Sequence, residues 1–257
     1  MMRILTLNTW KCDGAYRQRL AAMVPGLSAL QPDVVLLQEA FATDDGQADT
    51  ARHLAQALGL IATVAPARHK ARAFEGHHRP STSGLALLTR EPPPSHHVLQ
   101  LPFDPADGER IAQLAQLVHQ GQTFWVANLH LTHLSHAAAL RAQQLATTLA
   151  ALHRLAGTAP MVVGGDFNSG PGHAEFDGLR DAPWHMRNPF DGVAKSTHHT
   201  DEGRGLDLDH LLLSGWPPNA VRHAAVVLDP RDTAAAGPAA SDHAAVLLEL
   251  DGPPSGA

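Results

Sequence analysis

Residues 161–170 read MVVGGDFNSG, and this stretch organises the chain. An apolar run ends in two glycines and is followed by Asp166 and Asn168. Alternate side chains of a β-strand point to the same face, so a strand that continues here places the carboxylate and the amide side by side. Because α/β proteins place their sites at the carboxyl ends of strands, residues 166–168 are predicted to belong to a functional site.

The residue types of this pair suit phosphate chemistry. A carboxylate can orient or deprotonate a water, and an amide can donate hydrogen bonds to phosphate oxygens without adding negative charge. A polar turn after a buried strand is the alternative interpretation. A calcium-binding loop is disfavoured, because Pro171 stands where an EF-hand has its invariant glycine and Asp177 replaces the terminal glutamate.

Length, composition and the N-terminal segment predict one domain in a reducing compartment. The 257 residues contain no composition break, so we expect a single domain over residues 1–251 and a disordered tail over residues 252–257. No apolar run is as long as a membrane span, which predicts no integral membrane association. The chain lacks the apolar region of a secretory signal, and Cys12 is its single cysteine. We therefore expect a cytoplasmic monomer.

The charge distribution limits how an anionic partner could be held. The net charge of −6 gives no global basic field, so a polyanion must be bound by local charge or by metal. One basic cluster, within residues 67–83, contains Arg68, Lys70, Arg72 and Arg79. We interpret this segment as a long surface loop that is either simply solvated or a flap over an anionic substrate.

Polar residues recur at the ends of predicted strands. Strands are predicted over residues 3–9, 34–39, 111–118, 123–131, 161–165, 206–213, 221–228 and 244–250, among others. Helical spacing predicts helices over residues 17–30, 50–58 and 136–156, with Pro25 a kink or break in the first. About ten strands with helices between them and no internal repeat predict two sheets packed face to face, with helices outside.

Six short motifs lie between residues 8 and 243. They are Leu7-Asn8-Thr9-Trp10, Leu37-Gln38-Glu39, Asn128-Leu129-His130-Leu131, Gly164-Gly165-Asp166-Phe167-Asn168, Leu208-Asp209-His210 and Ser241-Asp242-His243. Together and in this order they resemble the endonuclease/exonuclease/phosphatase superfamily, whose deoxyribonuclease I-like fold is shared by exonuclease III-type enzymes, neutral sphingomyelinases and inositol polyphosphate 5-phosphatases. The resemblance implies an α/β fold, a four-layer α/β/β/α sandwich of two packed mixed β-sheets flanked by helices.

The same resemblance implies a role for each matching residue. The metal would be Mg²⁺, for which Mn²⁺ often substitutes, held by Asn8, Glu39 and Asp242. Asp166 matches the aspartate that orients or deprotonates the attacking water, and Asn168 the amide that contacts phosphate. The remaining matches are His243, which binds or protonates the phosphoryl group, Asp209, which orients His243, His130 as a second histidine, and Arg110, near where relatives often carry a phosphate-contacting arginine.

The resemblance implies a Mg²⁺-dependent phosphodiesterase or endonuclease, and the chemistry of these residue types agrees with it. Phosphodiester hydrolysis needs an activated water, charge neutralisation and a proton for the leaving alkoxide, which a metal with carboxylates and histidines supplies. The expected substrate is a phosphodiester, either nucleic acid or a small or lipid phosphodiester. A sphingomyelinase-like or other small-molecule phosphodiesterase or phosphatase is the main alternative.

Two further alternatives come from other classes of protein. An inactive binding module is disfavoured because Glu39, Asp166 and His243 are all present. A zinc hydrolase using His130, His133 and His136 stays open, although the chain contains no H-E-x-x-H and no Cys/His zinc spacing.

Overall fold

Two mixed β-sheets pack face to face in the computed structural model, which describes residues 1–193, 195–232 and 238–254. The elements are β1 (Met2–Asn8), α1 (Tyr16–Leu30), β2 (Val34–Thr43), α2 (Thr50–Leu58), β3 (Ile61–Ala65), β4 (Lys70–Phe74), β5 (His77–Thr89), β6 (Ser95–Leu101), β7 (Arg110–His119), β8 (Gln122–His130), α3 (Ala138–Ala156), β9 (Met161–Asp166), β10 (His198–His199), β11 (Gly205–Leu206), β12 (Asp209–Ser214), β13 (Val221–Val227) and β14 (Ala245–Leu250). Short 3-10 turns lie at Ala174–Phe176 and Pro218–Ala220.

Each large sheet contains one parallel pair of strands. The seven-stranded sheet has the order β13-β14-β1-β2-β5-β3, with β4 also paired to β5. Within it β1 and β2 are parallel. The five-stranded sheet has the order β12-β9-β8-β7-β6, and its parallel pair is β8 and β9, which α3 connects. Because parallel neighbours run in one direction, the carboxyl ends of each pair meet at one edge.

The continuous apolar runs place hydrophobic side chains in two cores, one on each face of the strand. Along β2, Val35 and Leu37 face α1 and α2, whereas Val34 and Leu36 face the space between the sheets. This division follows from the period of two along a strand and explains why β2 is apolar on both faces.

Helices cover the outer face of each sheet. Residues of α1 and α2 share a core with the outer face of the seven-stranded sheet, including Leu20 and Leu54. Leu145, Leu149 and Leu152 of α3 pack on the five-stranded sheet. The predicted four-layer α/β/β/α sandwich is therefore confirmed.

A network of buried amides joins the two sheets near the edge where the strands end. Asn128 of β8 donates through Nδ2 to the carbonyl oxygens of Leu37 and Ala86, both at 3.0 Å. Its Oδ1 accepts a hydrogen bond of 2.8 Å from Nε2 of Gln38. The pairing of β2 with β5 shifts register between Leu37 and Ala40, and the amide of Asn128 satisfies carbonyl groups beside this irregularity.

The interpretation of residues 67–83 as a long surface loop is wrong, because these residues belong mostly to a β-hairpin. The segment forms β4 and the first half of β5, which pair from Lys70 with Ser81 to Phe74 with His77. Phe74 and Arg72 are buried, while Lys70 and Ala71 are exposed. Residue type did not reveal the strand periodicity, because the charged Arg72 lies on the buried face with Phe74 whereas Ala71 and Ala73 are exposed.

Two smaller expectations also differ from the structure. Strand β2 does not end at Glu39 but continues to Thr43, and Glu39 has a φ of 54° within the register shift. Pro25 lies inside α1 and does not break the helix. Met23 and Leu27 are buried on the sheet, so packing holds the helix together on both sides of the proline.

One expectation falls partly outside the described residues. The disordered tail expected over residues 252–257 includes residues 255–257, which the structure does not describe. Among the helices that the structure describes, none combines the length and the apolar character needed to cross a membrane.

We predict that Asn128→Ala destabilises the protein by at least about 3 kcal/mol, because it leaves two carbonyls and the Gln38 amide buried without their partner. Urea unfolding followed by circular dichroism measures the change. Asn219→Ala, at an exposed position, is the matched control and is expected to change stability by less than about 0.5 kcal/mol. Equal stability of the two variants would show that the network does not hold the sheets together.

Candidate active site

Three adjacent strands of the five-stranded sheet bring three predicted site residues into one row. The register pairs His130 of β8 with Asp166 of β9, and Asp166 with Asp209 of β12. Residues that pair directly across neighbouring strands point to the same face. Nε2 of His130 consequently lies 3.5 Å from Oδ2 of Asp166.

The seven-stranded sheet adds two more residues from the opposite side. Asn8, at the end of β1, donates from Nδ2 to Oδ2 of Asp166 at 3.0 Å. His243, just before β14, donates from Nδ1 to Oδ2 of Asp209 at 2.8 Å, and its Nε2 lies 3.9 Å from Oδ2 of Asp166. Asp166, Asp209 and His243 are all buried, so the cluster lies where the two sheets meet.

Two glycines allow the strand that carries Asp166 to fit between its neighbours. A Cβ on Gly165, whose φ is 139°, would lie 1.9 Å from the carbonyl oxygen of Leu129. A Cβ on Gly164 would lie 2.5 Å from Leu211 and 2.7 Å from Leu36. The glycines therefore permit close approach of β8, β12 and the opposite sheet.

Strand β9 ends at Asp166, so the side chains of Asp166 and Asn168 do not share a strand face, contrary to the expectation from the sequence. The backbone N–H of Asn168 donates to Oδ1 of Asp166 at 2.8 Å, which closes a turn with Asn168 at a φ of 51°. The Asn168 side chain instead donates to the carbonyl oxygen of Leu131 at 3.0 Å. One of its two Nδ2 hydrogens is used in this bond.

The buried charges separate the pKa values of Asp166 and His243. Burial and the charge of Asp209 raise the pKa of Asp166 to about 7. Burial opposes the charged form of His243, but Asp209 and Asp166 outweigh it and raise the pKa of His243 to about 10. Burial, with the charges of Arg110 and His243, lowers the pKa of His130 well below its usual range. Near neutral pH the cluster therefore contains a proton acceptor, a cationic imidazole and a neutral imidazole.

Arg110 lies in a buried ion pair behind this row. It is 3% exposed and donates to both carboxylate oxygens of Asp107, at 2.8 and 2.6 Å. Its Nη1 is 3.4 Å from the carbonyl oxygen of His130. Because its guanidinium faces Asp107 and the backbone of β8, its contact in this structure is with the strand that carries His130. Asp107 was not identified from the sequence, since it lies in a loop without a recognisable motif.

The backbone segments that carry Asn8, Glu39 and Asp242, the three residues expected to bind metal, are adjacent. Asn8 pairs with Gln38, so Glu39 follows directly beside the end of β1. The Ser241 hydroxyl donates to the carbonyl oxygen of Asn8 at 2.6 Å and lies 3.2 Å from Oδ1 of Asp242. Glu39 itself forms an ion pair with Lys11, whose Nζ is 3.0 Å from Oε2.

Lys11 is a residue of the site that the sequence did not indicate. It lies in the turn after β1. Buried Arg19 of α1 fixes this turn by donating to the carbonyl oxygens of Thr9, Trp10, Lys11 and Asp13.

The sequence also did not indicate Lys195 and His198. Lys195 contacts the Asp207 carboxylate and the Asp209 carbonyl oxygen, and the His198 ring lies 4.7 Å from that of His243. Lys11 and Lys195 come from loops and His198 from the two-residue strand β10, where spacing carries no signal.

His130 and His133, two members of the histidine run that begins at the end of β8, do not face a common metal centre in the described structure. His130 faces Asp166, whereas Nδ1 of His133 lies 2.8 Å from Oδ1 of Asp107. Among the described residues, two groups could hold a metal ion: Asp166 with Asp209 and His243, and His198 with Asp242 and His243.

The fold and this row of residues define a known class of protein. The model of the endonuclease/exonuclease/phosphatase family matches residues 5–243, and the chain belongs to that family. Its members are hydrolases that act on phosphoester bonds. The resemblance inferred from the six motifs is thus confirmed.

Solved structures share the fold at low sequence identity. The human Nocturnin catalytic domain with bound sulfate anion is 20% identical, with a TM-score of 0.76 over 98% of this chain and 93% of its own. The Bacteroides thetaiotaomicron mannosyl-6-phosphatase Bt3783 is 16% identical, with a TM-score of 0.73 over 98% and 100%. A humanized TDP2 from D. rerio is 18% identical, with a TM-score of 0.72 over 96% and 97%. No curated protein matches the sequence significantly.

We predict that Asp209→Asn lowers the pKa of His243 from about 10 by about 1 to 3 pH units. The amide keeps an acceptor for Nδ1–H but removes the negative charge that favours the imidazolium. Titration of the His243 ring by NMR measures the change. Asp181→Asn, an exposed carboxylate, is the matched control, and an unchanged His243 titration in Asp209→Asn would contradict the electrostatic account.

Proposed function

We propose that this protein is a Mg²⁺-dependent phosphodiesterase, of endonuclease type, that cleaves a P–O bond by direct attack of water. The observation that carries the proposal is the buried cluster in which Asp166 lies between His130 and Asp209 and has Nε2 of His243 3.9 Å from its Oδ2. The pKa values of Asp166 and His243, about 7 and about 10, agree with this geometry. Two titratable groups with pKa values pushed apart can act as base and cation at the same pH.

Asp166 is the proposed base. Its carboxylate is oriented by the Asn8 amide and by the backbone N–H of Asn168, so its oxygens are held in one direction. A pKa near neutrality lets the carboxylate accept a proton from water without holding it permanently.

His243 is the proposed partner of the phosphoryl oxygens. The attacking and leaving oxygens of a phosphoryl transfer lie on opposite sides of phosphorus. Since Nε2 of His243 is only 3.9 Å from Oδ2 of Asp166, it lies on the attacking side and can donate to a non-bridging oxygen. Asp209 keeps Nδ1 protonated and the ring oriented for this contact.

Two neutral groups complete the proposed phosphate contacts. The lowered pKa of His130, which results from burial and nearby Arg110, leaves a neutral ring that can donate one hydrogen bond. Asn168 has a second Nδ2 hydrogen beyond the one bonded to Leu131. We propose that Arg110 acts indirectly, by holding the backbone of His130.

The donor chemistry of Asn8, Glu39 and Asp242 fits Mg²⁺, because all three offer oxygen atoms and Mg²⁺ prefers oxygen ligands. The like-charged pair of Asp166 and Asp209, which contributes to the raised pKa of Asp166, is also an environment that a cation stabilises. When bound, Mg²⁺ supplies charge neutralisation for the phosphoryl and leaving oxygens.

A basic groove next to Glu39 supports an extended anionic substrate. Lys11, Arg68, Lys70 and Arg72 line a groove of about 300 Å³ along the β4 hairpin. Lys11 connects the groove to Glu39. In a chain with a net charge of −6, this local group of cations, in a groove that Asp13 also lines, is a surface that can attract a phosphodiester backbone.

Nicking of supercoiled plasmid DNA in Mg²⁺ or Mn²⁺ tests the proposal. We expect EDTA to abolish nicking and Asp166→Asn to slow it by about 10²- to 10⁴-fold, because the amide cannot accept the proton of water. Asp177→Asn, an exposed change in the following loop, is the matched control, and thermal melting establishes that all variants fold. Full activity of Asp166→Asn would refute the assigned base.

The same assay separates the alternative substrates. Absence of nicking, together with metal-dependent hydrolysis of bis(p-nitrophenyl) phosphate, would favour a small or lipid phosphodiester. Hydrolysis of p-nitrophenyl phosphate alone would favour a phosphatase. Inactivity toward all three would favour a binding module.

We predict that Lys70→Glu weakens cleavage of DNA but not of bis(p-nitrophenyl) phosphate. Lys70 is exposed in the groove, so the change removes one phosphate contact and lowers the slope of log K against log salt by about 0.9. Arg52→Glu, on α2 with a side chain 84% exposed, makes the same charge change elsewhere and is the control. Equal effects of the two variants would argue against the groove as the DNA contact.

A further inference from the structure

His198 lies against the proposed active site, although no motif assigns it a role. It belongs to β10, and its backbone forms an isolated bridge with His243. The two imidazole rings lie 4.7 Å apart and are tilted by 38°. The Asp242 carboxylate completes a group in which one ligand atom from each residue lies within 4.8 Å of the others.

Hydrogen bonds orient both histidines as metal ligands are oriented. Nδ1 of His243 donates to Asp209 at 2.8 Å, and Nδ1 of His198 donates to the carbonyl oxygen of Asp242 at 3.1 Å. With Nδ1 used in each ring, Nε2 is the nitrogen that can bind a metal. A metal-binding histidine typically donates its other ring N–H to a carboxylate or a carbonyl oxygen in this way.

We propose that His198, Asp242 and His243 form a binding site for a transition-metal ion of the Zn²⁺ type, and that the ion inhibits the enzyme. Two imidazoles and one carboxylate favour Zn²⁺ over Mg²⁺, which prefers oxygen ligands. A tetrahedral ion with bonds of about 2.1 Å needs its ligand atoms about 3.4 Å apart, and one possible ligand atom from each of these side chains already lies within 4.8 Å of the others.

Metal binding at this site makes Nε2 of His243 unavailable for a hydrogen bond to the phosphate. The ion takes the place of the proton on Nε2, which is released to solvent, and the ring can then no longer donate to a phosphoryl oxygen. The inhibition rests on the proposed function, whereas the metal binding does not. The two sites share Asp242, so Zn²⁺ and Mg²⁺ compete for its carboxylate, and His198 is a ligand of the Zn²⁺ site alone.

Metal binding is tested on the full chain in millimolar Mg²⁺, by calorimetric titration with Zn²⁺ and by the visible absorption of added Co²⁺. We expect one ion per chain in the wild type and at least about tenfold weaker binding in His198→Gln. His199→Gln, the neighbouring histidine on β10, is the matched control and is expected to bind as the wild type does. Unchanged Zn²⁺ affinity in His198→Gln, or no binding by the wild type, would overturn the proposal.

A second measurement does not depend on the variant folding. In NMR spectra of the wild type, Zn²⁺ is expected to shift the Nε2 resonances of His198 and His243 and to leave that of His133 in place. Shifts confined to His130 and His133 would assign the ion to the histidine run instead and would refute the site.

Hydrolysis rates measured with and without Zn²⁺ distinguish the proposed metal site from the proposed function. In the wild type, the ratio of the rates with and without Zn²⁺ is expected to fall over the Zn²⁺ concentrations at which the ion binds. In His198→Gln the same fall is expected at about tenfold higher Zn²⁺ concentration. Zn²⁺ binding through His198 in a protein that hydrolyses none of the phosphoesters would leave the metal site standing and refute the proposed function. Activity with no loss on Zn²⁺ saturation would refute the inhibition.

Discussion

The packing of two sheets against each other is the constraint on which the site depends. No single sheet contains the cluster: His130, Asp166 and Asp209 come from the five-stranded sheet, and Asn8 and His243 from the other side. The Asn8–Asp166 and His243–Asp209 hydrogen bonds join the two sets across the interface. A small change in the distance between the sheets would therefore break the cluster before it disturbed either sheet.

The interface between the sheets combines an apolar centre with a polar edge. Leu36, Val126 and Leu248 belong to the apolar layer, which excludes water and gives no preferred register. The amides of Asn128, Gln38 and Gln113 add directional contacts near the edge, since each needs a specific partner. The apolar layer stabilises the sandwich, and the amides determine how the two sheets are aligned.

The buried charges of the site act against stability in part of the pH range. The folded-state pKa of Asp166, about 7, is above its ordinary value of 3.8, so this group favours the folded state most below pH 3.8. That contribution is lost as the pH rises toward 7. The positive charge on nearby His243 limits the loss, because the pair then holds opposite charges. Buried ionisable groups with shifted pKa values lower the stability of the folded state over part of the pH range, and they are common at catalytic and binding sites.

The sequence by itself determined the layer architecture, the family and most of the residues that meet at the site. These follow from local properties: alternating or continuous apolar runs produce strands, and the motifs lie at their ends, where Asp166, Asp209 and His243 are found together. Only the tertiary structure decided the partners of Glu39 and Arg110, the hairpin over residues 70–89, and the presence of Lys11 and His198. The Lys11–Glu39 and His198–His243 contacts join segments far apart in the chain, about which residue spacing carries no information. The hairpin and the Arg110–Asp107 pair are local in the chain, but their residue types form no recognisable pattern.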